Sequence, residues 1–203
     1  MTATRPIRLC MRSIVGIGAS HAMLGWTAIT PAAATEAFVL DPAHSQPMFE
    51  VRHLGFSVQR GTFTKARGRV TIDRAIGAAS IDVVIDASSV RTNDERLDEV
   101  VKGRDFLDVA NHPTIDFKSS AVTFDGDRLV RVAGELTLLD GTHPVVLTVA
   151  NFACGQHPFT KRPMCGAEAT TTIKRSDWGM AYGIPKMVGD DVRITIPIEA
   201  YRE

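Results

Sequence analysis

Asp41, His44 and Ser45 lie within five positions of one another and carry the side-chain types of a hydrolase triad. A triad is defined by convergence in space, not by adjacency in the chain, so the run reads as a turn-and-cap motif opening a strand. His53 is more informative. It shares the alternation of Phe49 and Val51, which places it on an inward face, where a buried imidazole needs a hydrogen-bond partner. That partner is either a ligand head group at the mouth of a pocket or a neighbouring strand or loop. Arg175 has the inward parity of Ile173 and needs a negative charge, from Asp177, from an acid on a helix, or from an anionic head group. His112 precedes Pro113 at the entry to a strand, and His143 follows an Asp-Gly-Thr turn; neither has a second ligand at metal spacing. An enzyme would need two or three of these groups to converge, with His53, Arg175 and His44 the candidates. The chain holds no nucleophile-bearing motif, so no catalytic residue, metal or cofactor is assigned.

The chain has 203 residues, with 23 Lys+Arg against 23 Asp+Glu. That balance argues against a nucleic-acid partner, which normally selects a basic excess. Charged residues at 23% and aromatics at 6% fit a globular chain rather than a disordered one. Residues 1–34 have a different character. Arg5, Arg8 and Arg12 precede a short apolar stretch from Ser13 to Ile29, and Pro31-Ala32-Ala33-Ala34 supplies small residues at a cleavage site. The stretch is shorter than the roughly 20 residues a membrane span needs, so it reads as a secretory signal cleaved near Ala34. No acid precedes Glu36, so Thr35 to Glu203 keeps 20 basic and 23 acidic residues, a net of −3. No later segment is apolar enough to span a bilayer, and a soluble product in an oxidising compartment is expected, in the periplasm. There Cys154 and Cys165 read as a disulfide closing a hairpin end. A metal site using both with His157, or a redox pair, would call for Cys-x-x-Cys spacing, which is missing.

The elements that position these groups are strands. Residues alternate between apolar and polar at 46–53, 65–73, 81–87, 115–118, 130–138, 145–149, 167–174 and 192–199, with a further short run at 121–124. Gly55, Gly61, Gly77, Asp125-Gly126-Asp127, Asp140-Gly141 and Gly189-Asp190-Asp191 punctuate them. One segment has helical character: Asn93 can cap it, Leu97, Val100 and Val101 form a stripe that can plug a barrel end, and Gly103 ends it. The pattern means all-β, as sandwich or barrel. Small inward residues (Ala66, Gly68, Ala87, Gly134, Ala167, Ala169) would leave space inside a closed sheet, or would receive large residues from a facing one.

A longer set of residues carries a resemblance. Asp41-x-x-His44-Ser45-x-x-x-Phe49-x-Val51-x-His53 and Gly61-x-Phe63 open it, followed by Phe106-Leu107-Asp108-Val109 and His112-Pro113-Thr114-Ile115-Asp116-Phe117. Gly134-x-Leu136-Thr137, Thr142-His143-Pro144-Val145, Arg175-Ser176-Asp177-Trp178-Gly179 and Ile196-Pro197-Ile198-Glu199-Ala200 complete it in order. In this the chain resembles the YceI-like family of periplasmic polyisoprenoid-binding proteins. Two places depart from the family pattern. Asn93-Asp94-Glu95-Arg96-Leu97 lacks a His often found there, and Leu139-Asp140 stands where Arg-Gly is common. The resemblance implies an eight-stranded antiparallel lipocalin-like β-barrel over residues 35–203, with one short helix and an elongated apolar pocket.

The expected function is therefore binding of an isoprenoid or another long-chain amphipathic lipid in the lumen. Phe49, Val51, His53, Phe63, Val70, Ile85, Phe117, Val132, Gly134, Leu136, Ala169, Thr171, Ile194 and Ile196 are the expected lining. His53 and Arg175 are the candidate head-group contacts. Trp178, Met180 and Tyr182 lie in a loop that reads either as an adaptable lid or as a plug. A transient contact with a membrane or membrane protein fits such a carrier. The competing readings are a ligand-free accessory protein of a membrane redox system, with a filled barrel and an exposed apolar patch, and a hydrolase or isomerase acting on a lipid.

Overall fold

Alternation with a period of two places one apolar face on every strand, and those faces are satisfied together by curling one sheet into a ring. The structure, a computed structural model, describes residues 35–203; the segment read as an export signal lies outside the described residues. Its strands are β1 (Glu36–Leu40), β2 (Met48–His53), β3 (Ser57–Phe63), β4 (Ala66–Asp73), β5 (Ala78–Asp86), β6 (Val90–Arg91), β7 (Thr114–Asp125), β8 (Arg128–Leu138), β9 (Gly141–Gln156), β10 (Pro163–Lys174) and β11 (Val188–Arg202). Among the described residues one α-helix, α1 (Glu95–Lys102), follows β6. The order β1-β4-β5-β7-β8-β9-β10-β11 is closed by pairing of β11 with β1, and β2, β3 and β6 extend it beside β11. All the pairings are antiparallel. β1 with β2, β3 with β4, and β5 with β6 are three staves, each interrupted by a bend. The expected eight-stranded barrel is therefore present, built from eleven strands.

Three strands, β1, β3 and the two-residue β6, lie where the alternation gave no signal. β1 is a run of five residues in which Val39 is exposed and its neighbours Phe38 and Leu40 are buried. β3 begins Ser57-Val58-Gln59-Arg60, almost without apolar residues, and forms because the turn after His53 folds it back on β2 in register. The run at 121–124 belongs to β7, displaced by a bulge between Ser119 and Ala121. The helix cap is Asp94 rather than Asn93; its carboxylate accepts the Arg96 N–H at 2.9 Å. The helical stripe also divides. Val101 packs on the core while Val100 is exposed, because only one edge of this two-turn helix meets the barrel. Buried Asp98 fixes that edge by accepting the Thr92 N–H (2.6 Å) and hydroxyl (2.7 Å). The Thr92 hydroxyl holds the Asp98 carboxyl below its ordinary pKa.

Closure depends on residues 41–47. β11 pairs with β1 through Leu40↔Ala200 and with β2 through Met48↔Thr195. Between them the chain passes exposed Pro42 and buried Pro47, and the ladder is interrupted. The hydroxyl of fully buried Ser45 bridges the gap: it donates to the Glu199 carbonyl and accepts the Glu199 N–H, each at 3.0 Å. The Asp41 N–H donates to the same carbonyl at 2.8 Å. Cys154 and Cys165, directly opposed on β9 and β10, are disulfide-bonded as expected.

Ser45→Ala leaves the Glu199 N–H without its partner in a buried position, and should lower unfolding free energy by about 1–3 kcal/mol in urea titrations. Cys154→Ser/Cys165→Ser opens a loop whose ends are 11 positions apart. It should remove roughly 3 kcal/mol by the chain-entropy model, read in the same titration. A change under 0.5 kcal/mol in either variant, roughly the level of an ordinary surface substitution, would contradict these assignments.

Candidate functional site

The inward faces enclose a cavity of about 240 Å³ that runs through the barrel. Phe49 and Val51 of β2, Phe63 of β3, Val70 of β4 and Ile85 of β5 line one side of it. Phe117 of β7, Val132 and Leu136 of β8, Ala169 and Thr171 of β10, and Ile194 and Ile196 of β11 line the rest, together with Val145, Leu147 and Val149 of β9. Each of these has inward parity along its strand. Phe106 and Leu107 also line it, from the turn after α1, where no strand period could mark them as inward. One end is walled by buried Phe38, Leu40, Ile72, Cys165 and Ala200. At the α1 end it is lined by half-buried Val51, Phe106 and Val188.

Two expected lining residues do not reach the cavity. A Cβ on Gly134 would stand 2.4 Å from the Lys118 carbonyl and 2.6 Å from the Phe117 ring. The glycine seats that ring and opens no space. Gly68 is likewise filled, with the Asp82 carbonyl 2.7 Å from its Cβ position. Neither of these two glycines opens the lumen. His53 keeps the parity of Val51 but lies at the last position of β2, opposite Val188 and past the cavity lining. It is half-buried at the barrel rim.

Only Thr171 and Arg175 among the lining residues carry polar side chains. Arg175 is 2% exposed, and it pairs with neither Asp177 nor a helix carboxylate. Its Nε donates to the Gly189 carbonyl (2.8 Å), Nη1 to Met180 (2.7 Å), and Nη2 to Tyr182 (2.7 Å) and Val188 (3.1 Å). The guanidinium also faces the Phe106 ring at 5.7 Å. Burial lowers its pKa, with Asp190 opposing that shift. Four of its five N–H groups are thus committed to the backbone of the β10–β11 connection, and it is a frame for that loop. Asp190 secures the loop's far end by accepting the Ser176 N–H and hydroxyl, each at 2.9 Å; the N–H is the main reason its carboxyl sits below the ordinary pKa.

The loop residues separate accordingly. Trp178 is buried outside the cavity, donates from Nε1 to the Leu136 carbonyl (3.3 Å) and meets His143 edge-on at 4.8 Å. That is a fixed plug. Met180 is buried and lines the cavity, whereas Tyr182 is exposed at the rim, edge-on to Phe106 at 5.7 Å.

The Asp-His-Ser run is structural. His44 Nδ1 bonds Asp41 Oδ2 at 2.8 Å, Asp41 Oδ1 accepts the Ala43 N–H at 3.0 Å, and the Ser45 hydroxyl is committed to Glu199. The Asp41 hydrogen bond raises the His44 pKa, and the same bond lowers that of Asp41. Asp41, His44 and Glu199 are close enough to share a cation, but Arg162 adds positive charge beside Asp41. His157 Nδ1 accepts the N–H groups of Phe159 (3.2 Å) and Thr160 (3.1 Å), shaping the β9–β10 turn. With both cysteines in the disulfide, the alternative of a metal site there is removed.

Arg175→Met keeps bulk but leaves four carbonyls without their donor. Unfolding free energy should fall by about 3 kcal/mol, with proteolytic nicking between Ser176 and Gly189. Loss of ligand affinity with unchanged stability would instead mark Arg175 as a ligand contact.

A model of the YceI-like domain matches residues 38–200. Protein YceI of Escherichia coli O157:H7 is 31% identical over 188 residues, 92% of this chain and 97% of that one. A UPF0312 protein of Vibrio cholerae is 34% identical over 146 residues, covering 70% and 77%. Among solved structures, Burkholderia cenocepacia BcnA superposes with a TM-score of 0.68 at 24% identity, over 79% of this chain and 98% of its own. A polyisoprenoid-binding domain of Saccharophagus degradans gives 0.60 at 17% identity, over 82% and 98%. These neighbours share the barrel fold. The match extends from β1 to β11, and the chain belongs to the YceI-like family.

Proposed function

We propose that this protein is an exported carrier that holds the hydrocarbon chain of an isoprenoid, or of a similar long-chain amphiphile, inside the barrel. The observation that carries the reading is a cavity of about 240 Å³ whose lining offers two polar side chains, one of them committed to the backbone. Water in such a space would find few of the partners it needs. At about 24 cal/mol per Å³, a cavity of this size forgoes on the order of 6 kcal/mol of packing, a large part of a domain's ~5–15 kcal/mol of stability. An apolar occupant would recover it, at roughly 0.8 kcal/mol per buried methylene. The polar end of the ligand then belongs at the α1 end, outside the apolar lining.

The polyisoprenoid-binding neighbour from Saccharophagus degradans is consistent with this reading. The groups an enzyme would have required stand apart: His44 lies on the closing segment, His53 at the rim, and Arg175 in the loop frame. That separation supports binding over catalysis. The cavity favours a ligand-holding protein over an accessory protein with a filled barrel.

Thr171 and Ile194 face each other across β10 and β11 on the cavity wall. Thr171→Phe and Ile194→Trp should fill the lumen and weaken retention of a dansyl-labelled farnesyl chain about tenfold or more, with far-UV dichroism unchanged. Undiminished retention in both would rule out a lumenal site. Organic extraction of protein purified from its native compartment, followed by mass spectrometry, should release a long-chain lipid.

A further inference from the structure

The turn between β2 and β3 is built against the usual preference. The Phe56 N–H donates to the His53 carbonyl at 3.1 Å, and both central residues have positive φ, 52° at Leu54 and 75° at Gly55. Such turns favour Asn-Gly; a leucine there accepts backbone strain. Its side chain gains nothing from the core, being 50% exposed, and Phe56 is 95% exposed. The hairpin also projects beyond the ring, since β3 pairs with β6 only at Thr62 and Phe63.

The apolar tip is part of a larger patch. The Leu54 N–H bonds the Met187 carbonyl at 2.8 Å, and the Met187 N–H bonds the Gly183 carbonyl at 2.8 Å. That places exposed Met187 and Tyr182 beside the hairpin. The patch frames the α1 end of the cavity, because Val51 and Val188 line it from the same strands and Tyr182 packs on lining Phe106. Within its own two segments the charge is basic. Residues 51–65 and 178–189 contain no acid, and they carry exposed Arg52 and Lys186, neither of which makes an ion pair among the described residues. Arg60, on the same hairpin, is neutralised by Glu50 at 2.6 Å.

We infer that this end of the barrel docks on an anionic lipid bilayer surface, with Leu54 and Phe56 entering the interfacial layer and Arg52 and Lys186 meeting lipid phosphates. Apolar insertion combined with basic contacts is the physical basis of reversible surface binding. The inference rests on the carrier reading, and gives it a direction: the cavity end that exchanges lipid is the end that touches the membrane.

The test is flotation of the purified protein with phosphatidylethanolamine–phosphatidylglycerol vesicles, with phosphatidylcholine vesicles as the uncharged comparison. Leu54→Ser/Phe56→Ser should reduce vesicle binding about tenfold or more. Arg52→Gln/Lys186→Gln should reduce it about fivefold for each lost charge on anionic vesicles only, an effect that high salt should reproduce. Phe159→Ser removes an 87%-exposed aromatic from the opposite end and should leave binding unchanged. Retention of the dansyl-farnesyl probe, measured without vesicles, should be normal in all these variants. Wild-type binding by Leu54→Ser/Phe56→Ser, or no vesicle binding by the unsubstituted protein, would overturn the inference. If that absence came with a dimer that Leu54→Ser/Phe56→Ser splits in sedimentation, the patch would be a contact between copies. Failure of the unsubstituted protein to retain the probe, with vesicle binding intact, would instead count against the carrier reading.

Discussion

Strand β11 carries hydrogen bonds on both edges, and the lumen exists only because it does. One edge meets β10 from Asp191 to Tyr201; the other meets β1 near its end and β2 near its start. Where those two neighbours part, Ser45 stands in for a strand, supplying one donor and one acceptor to Glu199. An open sheet of this composition would present a long apolar face and two free edges. Closure removes both, and it fixes a circumference that the side chains do not fill.

That circumference explains the division of labour among polar residues. An apolar interior gives a buried cation no solvent, and Arg175 has found a backbone role instead. Arg175 gathers the carbonyls of Met180, Tyr182, Val188 and Gly189, and so holds a glycine-punctuated connection in one shape. His157 and Asp98 do the same for the β9–β10 turn and for the start of α1. A lumen lined in this way presents an apolar shape with almost no polar partners.

The two ends of the barrel are consequently unlike. One is sealed by Phe38, Leu40, Ile72 and Ala200 with the disulfide beside them. The other carries the helix, the Arg175-framed loop and the projecting hairpin, where half-buried lining passes into exposed apolar side chains. Apolar surface that continues from a lumen to the outside offers a hydrocarbon chain a path that never requires full hydration.

Alternation alone determined the all-β class, an inward face on each of the eight staves and most of the cavity lining, because side-chain direction along a strand has a period of two whatever the partner. The pairing of Cys154 with Cys165 was equally legible, being local to one hairpin. The same rule misplaced Gly134 and His53. Parity gives direction but not depth, and only the packed structure shows the Phe117 ring over the glycine and the cavity ending below His53. β3 was invisible because its register comes from β2 rather than from its own apolar residues. Arg175 was seen to be buried, yet its partners are carbonyls, which every residue carries and which no sequence pattern can single out. Sequence thus fixed which way side chains point; closure of the ring decided what they meet, since that depends on contacts between strands far apart in the chain.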